Sequence, residues 1–323
     1  MTGGRHNRGV IDAEAMLAGA RRPLVLGIGG GGDVVGALAT AEACRLYHGA
    51  EPTLGGVAWE RRVIDPHPGP RALDEIEGGE QLAPGVLSAG AETRVRESGV
   101  RFAEAGMAEV LGERTVLVDV LGGPAAVAAG LEEVARRLGS DLLVFVDVGG
   151  DVLAHGDEPG LASPLCDAVM LAAAAALEGR GLPMLGAIFG LGCDGELTVA
   201  EVVERLAEVA GAGGLAGARG LTAPVVSRLE DAIAVIPTEA SAQAVRCFRG
   251  EQGETTIRAG HRVVELSPLG ALTVYFGAAA AVASAARLAR AVDGAGSLEE
   301  ANDRLKALGI KTELDYERAA LDR

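Results

Sequence analysis

With 323 residues, a formal charge of −16 and a pI near 4.8, the chain's composition argues against a surface for nucleic acid or an anionic membrane, which would need a basic patch. Hydrophobic residues make up 49% and aromatics only 3%, so Val, Leu, Ile and Ala must build the core of one large α/β domain or two lobes. Lysine occurs only at Lys306 and Lys311, and Cys44, Cys166, Cys193 and Cys247 form no CxxC pair. P-loop nucleotide hydrolysis, Schiff-base chemistry, structural zinc and a disulfide framework all lose support.

After a polar lead-in over 1–22, with a short helical piece near 13–20, an apolar strand is expected over 24–28 and a helix over 34–47. Residues 55–59 read as a second strand. In the segment that follows, from Glu60 to Arg71, Pro66, Pro68 and Pro70 impose a stiff extended loop that cannot be helical. The pattern over 72–108 is weak, and irregular structure is expected there. Strands over 114–120, 142–147 and 184–189 then alternate with helices over 125–138, 164–177 and 199–210. Continuous apolar strands in such alternation specify a parallel sheet covered on both faces. Right-handed crossovers distribute the helices to its two sides.

Beyond Gly211 a glycine-rich link over 211–220 precedes helices over 223–236 and 239–248. Short strands over 255–258, 262–266 and 272–276 follow, then a long Ala-rich helix and a last helix opened by the capping-box pattern Ser297-Leu-Glu-Glu300. The expected fold is α/β: a Rossmann-like, doubly wound, mostly parallel sheet over 1–210, with a C-terminal α/β extension or subdomain over 211–323 that is free to continue the same sheet. Arg287 and Arg290 interrupt the Ala-rich run over 276–292, which reads as a packed helix rather than a membrane span. The first residues, Met1-Thr-Gly-Gly-Arg-His-Asn-Arg, lack the apolar segment of a signal peptide, so the cytoplasm is the expected compartment. The expected partner is a small-molecule ligand, with a homo-oligomer left open.

Three glycine-acid stretches carry the chemistry. In Gly27-Ile-Gly29-Gly30-Gly31-Gly32-Asp33 a strand runs into a glycine turn and a helix, and the backbone is free to approach a ligand. Asp33 stands where a bound phosphate would want only N–H groups, so it reads either as an N-cap or as a group that receives hydroxyls, an amine or a metal-bridged phosphate. Asp147-Val-Gly149-Gly150-Asp151 closes another strand, with His155, Asp157 and Glu158 close behind. Paired carboxylates there can serve as acid and base or bind a divalent cation, Mg or Mn, through Asp147 and Asp151. Cys193-Asp194-Gly-Glu196 closes a third strand and adds two more acids.

Strand-end acids of a parallel sheet lie beside its ligand crevice. Asp33, Asp147, Asp151, Asp194 and Glu196 are therefore the candidate catalytic residues. Around them, Gly29 to Gly32, Glu60, Arg61, Arg71, Gly149, Gly150, Ser163 and Glu239 are candidate ligand contacts, with Arg61 and Arg71 holding an anion. Asp167, on the first turn of its helix, reads as a helix-dipole partner. Arg258 is a weaker anion contact.

Together the loops Gly27–Gly36, Trp59-Glu-Arg61 with Asp65-Pro66 and Pro68-Gly-Pro-Arg71, Asp147-Val-Gly-Gly-Asp151, Ser163-Pro-Leu165 with Asp167-Ala168, Gly192-Cys-Asp-Gly-Glu-Leu-Thr198 and Thr238-Glu-Ala-Ser241 resemble a family of archaeal and actinobacterial proteins known as a domain of unknown function. The resemblance implies that these acidic, glycine-rich loops belong to one site. A fainter likeness of Gly-Cys-Asp-Gly-Glu to a loop of D-glutamate cyclases points to lyase or cyclase chemistry. The leading expectation is a hydrolase or lyase acting on a small polar metabolite, such as a sugar or nucleoside phosphate. The alternatives are an NAD(P)-dependent oxidoreductase that uses the Gly27 loop, with Glu60 near the ribose, and a non-catalytic metabolite-binding protein.

Overall fold

The computed structural model describes residues 11–321, so the first ten residues of the expected polar lead-in lie outside the described part. In chain order, α1 (Ala13–Gly19) leads into β1 (Pro23–Gly27), α2 (Asp33–His48) and β2 (Thr53–Val57). A hairpin of β3 (Ile76–Ala83) and β4 (Val86–Val95) follows, then α3 (Ala103–Leu111), β5 (Thr115–Val118), α4 (Gly123–Leu138) and β6 (Leu142–Val148). Next come α5 (Pro164–Gly179), β7 (Met184–Phe189), α6 (Val199–Gly211) and β8 (Leu215–Gly220). The last third holds α7 (Ala223–Ile233), α8 (Ala240–Phe248), β9 (Gly253–Ile257), β10 (Arg262–Leu266) and β11 (Leu272–Phe276). It ends in α9 (Ala278–Ala283), α10 (Arg287–Val292), α11 (Leu298–Ala307) and α12 (Glu313–Leu321).

Nine strands form one sheet in the order β3-β4-β5-β2-β1-β6-β7-β11-β8. The central five, from β5 to β7, pair parallel, and β4 and β11 run against the rest. β8 and β11, both from the last third, extend the same sheet, while β9 and β10 form a separate antiparallel pair. Alternation along the strands explains why both faces are covered. On β1 and β6, Leu24, Leu26, Leu143 and Phe145 face one helical layer with α4, α5, α10 and α11. Val25, Val144 and Val146 face the other, with α2, α3, α7 and α8. The result is a three-layer, doubly wound α/β fold.

The chain leaves β1 toward β2 and β5 on one side and returns to β6 and β7 on the other. The order therefore reverses between β1 and β6, where Gly27 lies opposite Val146. A ligand crevice opens at such a switch point, beyond the carboxyl ends of the strands.

Three expectations need correction. Residues 72–108 are not irregular, because the β3–β4 hairpin and α3 lie there. β3 hides as a strand because it is an edge: Glu77, Gly78, Gly79, Glu80 and Gln81 put polar groups where a core strand would put aliphatic ones, which protects the free edge. The glycine-rich link over 211–220 contains β8, the opposite edge, which pairs only with β11. The Ala-rich helix is two short helices, broken where Ser284 adopts φ −119° and ψ −89°. An alanine run carries no periodic signal that would have marked the break.

No helix of the described residues is long and apolar enough to cross a membrane.

Candidate functional site

A cavity of about 430 Å³ opens at the switch point. Its glycine wall is the β1–α2 turn, Gly29 to Gly32, where the Gly31 N–H donates to the Trp59 carbonyl at 2.9 Å. Asp33 begins α2 and folds its carboxylate back to accept the Gly29 N–H at 2.9 Å. A Cβ at 29 would stand 2.7 Å from Asp33 Oδ2 and 3.0 Å from Asp167 Oδ2, so any side chain there would displace both carboxylates. The turn is tight because two carboxylates converge over it.

Asp147 sits near the carboxyl end of β6, and Asp151 opens the short 3-10 turn that follows. Their carboxyls lie close enough to share a hydrogen bond. Asp194 and Glu196 come from the β7–α6 loop, held by the Thr198 capping box at the start of α6. Asp167 lies on the first turn of α5. Asp147, Asp151, Asp167 and Asp194 are each at most 5% exposed, and Asp147 Oδ2, Asp167 Oδ1 and Asp194 Oδ1 are buried without a hydrogen-bond partner.

Burial and mutual repulsion set the charge state of this group. Burial pushes Asp33 up to about 7, against the hydrogen bonds from Gly29 and Val148. Burial, and then the Glu196 charge, pushes Asp194 up to about 8. Asp147, Asp151 and Asp167 are held well above the usual carboxylate range, first by burial and then by neighbouring acids.

Glu196 differs from the others. Its carboxylate accepts the Ala162 N–H at 2.7 Å, the Ser163 N–H at 2.9 Å, the Ser163 hydroxyl and Arg262 Nη1 at 2.8 Å. Every direction on its two oxygens is spoken for. Glu196 therefore fixes the 162–163 turn and Arg262, and Ser163 touches the cavity from that turn.

The same cavity is lined by the guanidinium groups of Arg61, Arg258 and Arg262. Glu239 orders the first two, accepting the Arg258 N–H at 3.0 Å and pairing with Arg61 Nη1 at 3.5 Å. Arg258 and Ala259, both with φ 55°, are the two non-glycine residues in the left-handed region among the described residues. Strain of this kind, which is stored where surrounding structure enforces it, collects at ligand clamps. Glu60 lines the cavity with its carboxylate turned to the Ala103 N–H at 2.6 Å, and burial pushes it up to about 7.

Two sets of expected contacts are corrected. Arg71 does not line the cavity: it pairs with buried Asp65 at 2.7 and 2.9 Å and with Glu75 at 3.0 Å, which pins the proline loop. Gly149 and Gly150 do not line it either, and their role is spatial. Gly149 has φ +127°, and a Cβ on it would stand 2.1 Å from Asp194 Oδ1; a Cβ on Gly150 would meet Val202 of α6. The acidic run after Asp147 also divides. Asp147 and Asp151 face the cavity, whereas Glu158 accepts the His155 and Gly156 N–H groups and pairs with Arg205.

Several lining residues escaped sequence reasoning: Arg62, Asp167, Thr238, Ala240, Arg262, Glu313, Tyr316 and Glu317. Asp167 had a usable signal, because an acid between Cys166 and Ala168 in an otherwise apolar helix has no solvent face to occupy. Glu313 had none. It reaches the site from α12 and accepts the Leu165 and Cys166 N–H groups at 3.0 and 2.8 Å. Glu317, one turn on, accepts Trp59 Nε1 and the Gly69 N–H, so α12 closes the cavity beside the proline loop.

Residues 24–321 match the family described as protein of unknown function (DUF1152). The chain belongs to that family. No curated protein and no solved structure is significantly similar to this DUF1152 chain. All of the cavity lining lies within the matched residues.

Proposed function

We propose that this DUF1152 protein is an enzyme that acts on a small polar metabolite carrying an anionic group, by carboxylate acid–base or metal-assisted hydrolysis or elimination. One observation supports the reading: buried carboxylates with unpartnered oxygens and the guanidinium groups of Arg61 and Arg258 line the same cavity. A cavity of about 430 Å³ suits a sugar or nucleoside phosphate rather than a polymer. In this arrangement the guanidinium groups hold the anion and turn the ligand's hydroxyl or leaving group toward Asp151 and Asp194. An acid kept neutral near pH 7 by its surroundings can donate a proton there. Arg262, tied to Glu196, fixes the geometry of that corner.

The dinucleotide alternative receives less support. Asp33 already takes the Gly29 N–H of the turn and places a carboxylate where a pyrophosphate would sit, and one Glu60 oxygen is taken by the Ala103 N–H.

The test is a thermal-shift and product screen of sugar and nucleoside phosphates, with NAD and NADP included, since specific binding raises stability by mass action. At least one phosphate ester is expected to stabilise the protein and be consumed. Asp194→Asn should keep binding and lose most turnover. A ligand bound but never consumed would make the protein a binding protein, and stabilisation by NAD or NADP alone would overturn the reading.

A further inference from the structure

We infer that Asp33, Asp147 and Asp167 form the ligand set of a single divalent cation of the Mg²⁺ or Mn²⁺ class. The inference rests on the cavity being a ligand site, and it names the one position within it that the chain leaves incomplete.

One oxygen from each of these three carboxylates lies within 4.8 Å of the others, a spacing that a hard cation with oxygen ligands can bridge. The three come from different elements: the start of α2, the end of β6 and the first turn of α5. Rigid backbone on three sides therefore brings the acids together, at a point where glycine at 29 makes the room. Asp147 Oδ2 and Asp167 Oδ1 are buried without any hydrogen-bond partner, on residues 1% and 2% exposed. Buried carboxylate oxygens normally take a donor or a metal, because leaving them bare costs their full desolvation.

Some acids in and beside the cleft have guanidinium partners: Glu196 has Arg262, Glu239 has Arg61 and Arg258, and Asp65, outside the cavity lining, has Arg71. Among the described residues no arginine or lysine forms an ion pair with Asp33, Asp147 or Asp167. The Arg258 charge reaches Asp33 only at longer range than an ion pair.

Two further groups, His155 with Asp157 and Glu158, and Asp151 with Asp194 and Glu196, bring ligand atoms equally close but differ in chemistry. Glu158 already accepts the His155 and Gly156 N–H groups and pairs with Arg205. Glu196 already accepts donors from Ala162, Ser163 and Arg262 and has no free direction for a cation. One cation is therefore assigned, not two. Cys166 Sγ donates to the Ile28 carbonyl, and the set is all oxygen, which favours a hard ion over zinc.

The test is Mn²⁺ binding to the full chain, followed by its electron spin resonance signal and by calorimetry, with Mg²⁺ as competitor. Wild type should bind one Mn²⁺ per chain, displaceable by Mg²⁺. Asp147→Asn and Asp167→Asn, which preserve volume and replace one carboxylate oxygen by an amide nitrogen, should weaken binding roughly tenfold or more, while Glu196→Gln changes it by less than about threefold. Wild type needs no substitution to be informative: no bound Mn²⁺ at about 1 mM overturns the inference. So does a stoichiometry of two, or a loss in Glu196→Gln as large as in Asp147→Asn. The two readings fail separately. Turnover of a phosphate ester in the presence of a chelator would leave the proposed function standing and remove the cation. Tight Mn²⁺ binding with no metabolite bound would do the reverse.

Discussion

The Glu313 carboxylate accepts the Cys166 N–H at 2.8 Å, so a residue near the end of the chain caps the helix that carries Asp167. The Leu165 N–H adds a second bond at 3.0 Å, and Ser163, the N-cap residue by position, makes no side-chain cap of its own. The orphan donors of α5 are thus served from α12. Removing them should cost what a lost cap costs. Glu313→Ala is expected to lower stability by about 1–2 kcal/mol, and Glu313→Gln by less because its amide oxygen still accepts. Urea unfolding measures the loss, and amide exchange should quicken at Leu165 and Cys166. Unchanged exchange there would show that α12 does not hold α5.

Arg71 and Arg258 should separate structure from binding. The Asp65 side chain is 4% exposed and Arg71 is its bidentate partner. Arg71→Ala strands a buried charge and is expected to cost about 3 kcal/mol. Arg258→Ala should instead weaken binding of phosphate esters with little change in the unfolding midpoint. Equal effects of both substitutions on binding would return Arg71 to the site.

Glu60 gives a pH dependence with a definite sign. Burial raises its pKa from 4.5 to about 7, so the folded state holds the proton more tightly than the unfolded chain. That contribution is fully present below pH 4.5 and is lost as pH rises through about 7. Glu60→Gln removes the dependence. Relative to the variant, wild type should lose on the order of 3 kcal/mol across that window. Urea unfolding at pH 5 and pH 8 reads the difference directly, and parallel curves for the two proteins would refute it.

Gly149→Ala tests how closely the Asp194 loop is seated. A Cβ would stand 2.1 Å from Asp194 Oδ1 on a backbone at φ +127°. Both the strain and the clash act against the folded state, and a loss of about 3 kcal/mol is expected. A midpoint shift too small to measure would mean that the β7–α6 loop moves freely.

The central strands were legible in the sequence because each is buried on both faces and must be aliphatic along its whole length. The strand over 184–189 is met residue for residue by β7. The acids at their ends were legible for the related reason that a charge closing an apolar run cannot stay inside the sheet. Edges and caps were less so. β3 and β8 carry polar or glycine residues because one side of each pairs with no strand, and that is the composition of a loop.

By itself the sequence determined the doubly wound α/β class, the glycine turn before Asp33 and the acidic character of the strand ends, since local burial and turn geometry dictate these. Only the tertiary structure decided which acids meet. Asp167 joins Asp33 and Asp147 because α5 aims its first turn at the switch point, and Glu196 is withdrawn from the free acids by Arg262 from β10. Arg71, which the sequence offers as an anion clamp, is claimed by Asp65 six residues away, and Glu313 arrives from the far end of the chain. Such pairings depend on distances between elements that no spacing along the chain encodes.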